Sequence, residues 1–145
     1  MSKQKILITG ITGQDGIFLT KKLLEENNNI HISGFSRNPE TKQFYKKLEY
    51  LNKNLALENL NIVNVNISNF SAVSDFVNQF KPDYVYNLSG PSSVYDSLES
   101  PANTSLEMTT NFLNLINALI LNNNYSNFFQ PSSSEMFDHD TSGSL

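Results

Sequence analysis

A chain of 145 residues is about one domain long, enough for a single core that hides roughly two thirds of its unfolded surface. Charged residues make up 17% and the formal net charge is -4, with no cluster of Lys and Arg, which argues against nucleic acid or an anionic membrane as partner. Without cysteine there are no disulfides, thiolate nucleophiles or cysteine-held metals; His31 and His139 have no metal-site spacing, and no run approaches the ~18 apolar residues of a membrane span, so a soluble cytoplasmic protein is expected.

In chain order, "KILIT" (5–9) is a short, nearly unbroken β-prone run, the pattern of a strand covered on both faces. "QDGIFLTKKLLEENN" (14–28) has helical spacing, and "IHISGF" (30–35) reads as a second strand. The segment 39–54 places Phe44, Leu48 and Leu51 on one helical face, with Pro39 suited to the first turn. A third strand, "NIVNVNI" (61–67), is followed by the helix "SAVSDFVNQF" (71–80) and a fourth strand, "DYVYNLSG" (83–90). A long helix is expected over about 101–122, carrying Leu106, Phe112, Leu113, Leu115, Ile116, Leu119 and Ile120, and "NFFQPSSSE" (127–135) is the fifth strand. The asparagine tracts at 27–29 and 122–124 sit at the ends of helical segments, where Asn stops helices and tolerates the left-handed conformation. This alternation predicts an α/β fold: a Rossmann-like, doubly wound parallel sheet with helices on both faces.

Between the first strand and first helix stand Gly10, Gly13 and Gly16, spaced G-x-x-G-x-x-G. Glycines there allow a sharp turn, close approach to a pyrophosphate and tight packing of helix on strand, while the first N–H groups of the helix face the anion. A glycine-rich turn without a ligand is the alternative.

Three stretches together, "TGxxGxxG" after strand one, "YNLSG" at strand four and "SSSE" at strand five, resemble the extended short-chain dehydrogenase/reductases that act on nucleotide sugars. Within them "ITGITGQDG" is especially similar to the GDP-mannose 4,6-dehydratase family, and the likeness runs from Lys5 to about Asp138. It implies a nicotinamide cofactor bound by Gly10, Thr12, Gly13, Gln14, Asp15 and Gly16 on the first turn. It also places Leu88, Ser89 and Gly90 under the nicotinamide ribose, unless "NLSG" is an ordinary strand exit. Asn66 stands where these enzymes usually carry an Asp beside the adenine; an amide can still donate and accept at a ring edge. The second strand ends "GFSRNPE", with Arg37 and no carboxylate before Glu40. An Arg there pairs with the 2′-phosphate of NADP, whereas an acid would favour NAD, so NADP is expected, the alternative being a solvated surface Arg.

The resemblance further implies a lyase that converts GDP-mannose, or a related nucleotide sugar, through a hidden redox cycle. Hydride leaves C4 for the cofactor, a base takes the C5 proton, water leaves C6 and hydride returns to C6. Ser133 falls where the family hydrogen-bonds the sugar 4-hydroxyl, and Glu135 where its dehydratases have an acid/base glutamate. A serine run before Glu also suits a helix-capping box. Glu135 argues against a simple epimerase or reductase of the superfamily, which does not need that carboxylate.

The family's Tyr-x-x-x-Lys pair is not in the chain: Tyr45, Tyr50, Tyr84, Tyr86, Tyr95 and Tyr125 have Glu49, Asn54, Leu88, Gly90, Glu99 and Phe129 four residues on. The expectation is therefore a cofactor-binding domain over 1–145, cut short after the fifth strand and lacking the sugar-nucleotide half, with an apolar edge or face left open. Such a piece binds cofactor without independent turnover, as a homo-oligomer or with a complementing chain, or is a non-catalytic remnant. Two stretches depart from the family: "SGPSSV" (89–94) in place of a motif with His, and "EMTTNF" (107–112) in place of a Gly-Thr pair.

Overall fold

The computed structural model describes residues 2–37, 41–90 and 98–131. Among these, five parallel strands form one sheet in the order β3-β2-β1-β4-β5: β1 (Gln4–Thr9), β2 (Ile30–Ser36), β3 (Leu60–Asn64), β4 (Tyr84–Asn87) and β5 (Asn127–Phe129). The helices among the described residues are α1 (Gln14–Glu26), α2 (Lys42–Leu51), α3 (Phe70–Phe80) and α4 (Pro101–Leu121). This is the expected Rossmann-like parallel sheet.

Both faces of the sheet are covered, which is why β1 reads as an unbroken apolar run. Alternate side chains of β1 point opposite ways: Ile6 and Ile8 pack with Ile17 and Leu24 of α1 and Phe44 and Leu48 of α2. Leu7 points the other way, to Val85 of β4, Val73 and Val77 of α3, and Leu115 and Leu119 of α4. Two cores result, separated by the sheet. Of the apolar face expected for α2, Phe44 and Leu48 are buried, while Leu51 at the helix end is partly exposed. Only part of the apolar surface of α4 meets the sheet; Leu106, Leu113 and Ile120, seven residues apart, stand exposed.

Helix ends follow the chemistry of their side chains. Asn69 caps α3 by accepting a hydrogen bond from the Ala72 N–H at 3.2 Å. Both asparagine tracts terminate helices: Asn27 follows α1, Asn122 follows α4, and Asn123 is left-handed with φ 49°.

Strand ends differ most from expectation. The third strand stops at Asn64 because the Val65 N–H turns back to the Val63 carbonyl at 3.0 Å, although Val65 and Ile67 stay buried. The fourth ends at Asn87, where the Leu88 N–H makes a last bond to the Thr9 carbonyl at 3.2 Å. A single 3-10 turn, Leu57–Asn59, leads into β3 and was not foreseen. Pro39 and residues 132–135, expected in the second helix and fifth strand, lie outside the described residues.

Leu48→Ala, at a site with no solvent exposure, is expected to lower stability by about 2–5 kcal/mol in urea unfolding. Tyr50→Ala, two residues on but 89% exposed, is expected to stay within about 0.5 kcal/mol of the unmodified chain.

Candidate functional site

In the strand order β3-β2-β1-β4-β5, β1 separates β2 from β4, so the connections leaving β1 and β4 diverge at their carboxyl ends. A cavity of about 570 Å³ opens there, within the usual range for small-molecule sites. The first turn, the end of β2, the exit of β4 and one side of α4 enclose it.

The three glycines have separable roles. Gly10 has φ +66°, and a Cβ on it would lie 2.6 Å from the Leu88 carbonyl oxygen, so both the turn and the approach of the β4 exit require glycine. Gly16 lets α1 settle on the β1 exit, where a Cβ would come within 2.5 Å of the Ile11 carbonyl oxygen. Gly13 is different. Its φ of -72° suits any residue, among the described residues a Cβ would meet only the Gly10 carbonyl oxygen, at 3.2 Å, and Gly13 itself lines the cavity. Gly13 is also the N-cap of α1, with no side chain capping the helix, so the first-turn N–H groups lack intrahelical partners at the cavity. The helix dipole adds partial positive charge there, and Asp15 sits in the same turn.

Thr12, Gln14 and Asp15 line the cavity with the glycines, and Leu88, Ser89 and Gly90 form its far wall. Among the described residues, its chain neighbours aside, none comes within 4 Å of where a Gly90 Cβ would be. Arg37 stands at the mouth, 73% exposed, the one cation among the described lining residues, with its guanidinium 3.2 Å from the Glu107 carboxylate. Asn66 does not line the cavity; its Oδ1 accepts from the Ser68 N–H at 3.1 Å, and its buried neighbours Val65 and Ile67 form the wall instead. Ser133 and Glu135 lie outside the described residues.

Sequence reasoning missed Thr9, Glu107 and Asn111 of the lining, and behind it Gly34 and the partners of Ser89, Asn87 and Gln130. Thr9 Oγ1 and Ser89 Oγ both donate to Asn87 Oδ1, the latter at 2.7 Å, and Asn87 Nδ2 donates to Gln130 Oε1 at 2.6 Å. This chain ties together the carboxyl ends of β1, β4 and β5. Gly34, inside β2, leaves room for the Ile11 side chain; a glycine interrupting a strand pattern was the available signal. Glu107 and Asn111, one turn apart on α4, also face the cavity, and only the topology brings them there. Among the described residues no group of three His, Asp or Glu could hold a metal, and no helix is long and apolar enough to cross a membrane.

Gly10→Ala is expected to destabilise the fold by about 1–3 kcal/mol, from left-handed strain and contact with Leu88. Gly13→Ala is expected to cost less than half as much, as read by thermal or urea unfolding.

Residues 7–142 match the family model described as GDP-mannose 4,6 dehydratase. GDP-mannose 4,6 dehydratase 1 of Arabidopsis thaliana is 36% identical over 137 residues, covering 90% of this chain and 37% of that protein. The chain thus spans a little over a third of the length of the curated relatives it matches. In fold it is similar to the UDP-Glc/GlcNAc 4-epimerase of Campylobacter jejuni, with TM-score 0.68 and 20% identity over 83% of this chain and 34% of that one. It is likewise similar to UDP-glucose 4-epimerase of Bifidobacterium longum, solved in complex with NAD+ and UDP, with TM-score 0.67 and 14% identity over 83% of this chain and 35% of that one. Identities this low speak for the fold alone, whereas the family model covers nearly the whole sequence: the chain belongs to the GDP-mannose 4,6-dehydratase family.

Proposed function

We propose that the cavity binds a nicotinamide dinucleotide, NADP in preference to NAD, and that the chain is the cofactor-binding part of a GDP-mannose 4,6-dehydratase. The reaction of that lyase turns GDP-mannose into GDP-4-keto-6-deoxymannose and water.

The observation that carries this reading is Gly13. Gly10 and Gly16 are explained by contacts within the protein, whereas Gly13 lines the cavity at the N-terminus of α1 and a Cβ there would meet, among the described residues, only the Gly10 carbonyl oxygen. A pyrophosphate lying against that turn would use the space and meet the free N–H groups of Gln14, Asp15 and Gly16. Arg37 at the end of β2 would take the 2′-phosphate through charge-assisted hydrogen bonds. Leu88, Ser89 and Gly90 would support the nicotinamide ribose, with Ser89 held by Asn87 and Thr9. A nicotinamide dinucleotide, NAD+, is bound in the Bifidobacterium longum neighbour of the same fold.

When bound, the nicotinamide supplies a reversible hydride acceptor. Ser133 would hold the sugar 4-hydroxyl, and Glu135 would take the C5 proton, made acidic by the 4-keto group, a transfer typically worth about 10²- to 10⁴-fold in rate. The Tyr-x-x-x-Lys pair that the family resemblance calls for is not among the 145 residues. The reading for this chain by itself is therefore cofactor binding without turnover, the remaining groups coming from a further segment or a complementing chain, with GDP-mannose or a related nucleotide sugar as substrate.

Calorimetric titration with NADP⁺ and NAD⁺, followed by an assay for GDP-mannose conversion, tests this. Binding of NADP⁺ without product is the expected result. Gly13→Val is expected to abolish binding by filling the pyrophosphate's place, and unchanged affinity would overturn the phosphate-loop reading. Arg37→Ala is expected to weaken NADP⁺ about tenfold or more, as for loss of a hydrogen bond to a charged group, with little effect on NAD⁺. Equal losses for the two would remove the NADP assignment.

A further inference from the structure

We propose that Glu107 is a specificity-determining residue of this site: it opposes Arg37 and sets how far the chain prefers NADP over NAD. The inference rests on the dinucleotide reading above.

Arg37 and Glu107 are 70 residues apart in sequence and come from different elements, the end of β2 and the second turn of α4. They meet across the cavity mouth, guanidinium to carboxylate at 3.2 Å, and both line the cavity. Glu107 is the more sheltered of the two, at 43% against 73% exposure. As an energetic contribution to folding, so exposed a pair counts for little. Its position matters more.

The backbone carrying Glu107 is held from the cavity side. One turn on, the 5% exposed Asn111 accepts a hydrogen bond from Ser68 Oγ at 2.8 Å, and Asn114 Nδ2 donates to the Ile67 carbonyl at 2.9 Å. Arg37 directly follows Ser36, which is in register with Asn64 of β3. The carboxylate is therefore presented to the guanidinium by two anchored elements, and a ligand group arriving at Arg37 must contend with it.

The two cofactors differ at that point by one group. A 2′-phosphate carries nearly two negative charges; to bind Arg37 it must share the guanidinium with the Glu107 carboxylate or displace it, and in either case remains a few ångströms from it. A 2′-hydroxyl is neutral and can donate to a carboxylate, the arrangement by which an acidic residue favours NAD. Glu107 thus disfavours one cofactor and accommodates the other. A dianion about 6 Å from a carboxylate in salt-screened water loses roughly three- to tenfold in affinity.

The test is the ratio of NADP⁺ to NAD⁺ dissociation constants for the unmodified chain, Glu107→Gln, Arg37→Ala and the double variant, by calorimetry at low and moderate salt. Glu107→Gln is expected to tighten NADP⁺ about three- to tenfold, to leave NAD⁺ unchanged or weaker, and to show the larger effect at low salt. In the Arg37→Ala background the same substitution is expected to move the ratio less, because the two side chains are coupled. A ratio unmoved by Glu107→Gln, with both cofactors still binding, would overturn the role of Glu107 and leave the dinucleotide reading standing. If the unmodified chain, folded by circular dichroism, binds neither cofactor, both fall together.

Discussion

The site is built on the meeting of the β1 exit with the β4 exit. Gly10 in its left-handed conformation has no room for a side chain against Leu88, and the Leu88 N–H closes onto the Thr9 carbonyl. Everything that makes the cavity depends on that approach. It aims α1 along the sheet with its first turn at the opening, and it brings Ser89 within reach of Thr9 and Asn87. Gly16 repeats the device six residues later, so the helix is pinned at its start by two backbone contacts that only glycine permits.

The cavity wall is polar along the first turn of α1 and the facing side of α4, and apolar at Phe35, Val65, Ile67 and Leu88, which come from strand ends and the loop after β3. Thr9, Asn87, Ser89 and Gln130 join three strands by hydrogen bonds, and among the described residues no buried side-chain polar atom is left without a partner. Such a network resists fraying at the strand ends, since an unpaired buried amide would lose its hydration without replacement. On the far side, Asn111, Asn114 and Asn122 fix α4 to the loop and helix that follow β3. An asparagine-rich composition that could be taken for disorder is here used as a set of clamps and caps.

Sheet class, element order and the glycine turn were legible in the residues because each has a local cause: two-sided burial in β1, helical spacing of apolar positions, Asn at helix ends. Strand lengths were less so, since apolar residues continue past the ladder wherever the chain still lines a cavity, as Val65 and Ile67 do after Asn64. The roles of Gly10, Gly13 and Gly16 could be named but not told apart, because that depends on what a missing Cβ would touch. Glu107 stood in sequence only as a departure from a family pattern. Its meeting with Arg37 is a product of the crossover that carries α4 beside β2's end, and no spacing rule reaches across 70 residues.

The central position of β1 also has a consequence in time. Of the five described strands it leaves the ribosome before the others, and one of its neighbours, β2, follows within the next 30 or so residues. Its other neighbour, β4, ends at Asn87, and the bond from Thr9 to that residue spans 78 positions. At 5–20 residues per second the open edge of β1 waits roughly four to sixteen seconds for its partner. During that interval β1, β2 and β3 can already bury Ile6, Ile8 and Ile32 beneath α1 and α2, while Leu7 has yet to meet Val85. The half of the molecule that carries the glycine turn can thus assemble first, and the cleft is complete only when the second half has closed against it.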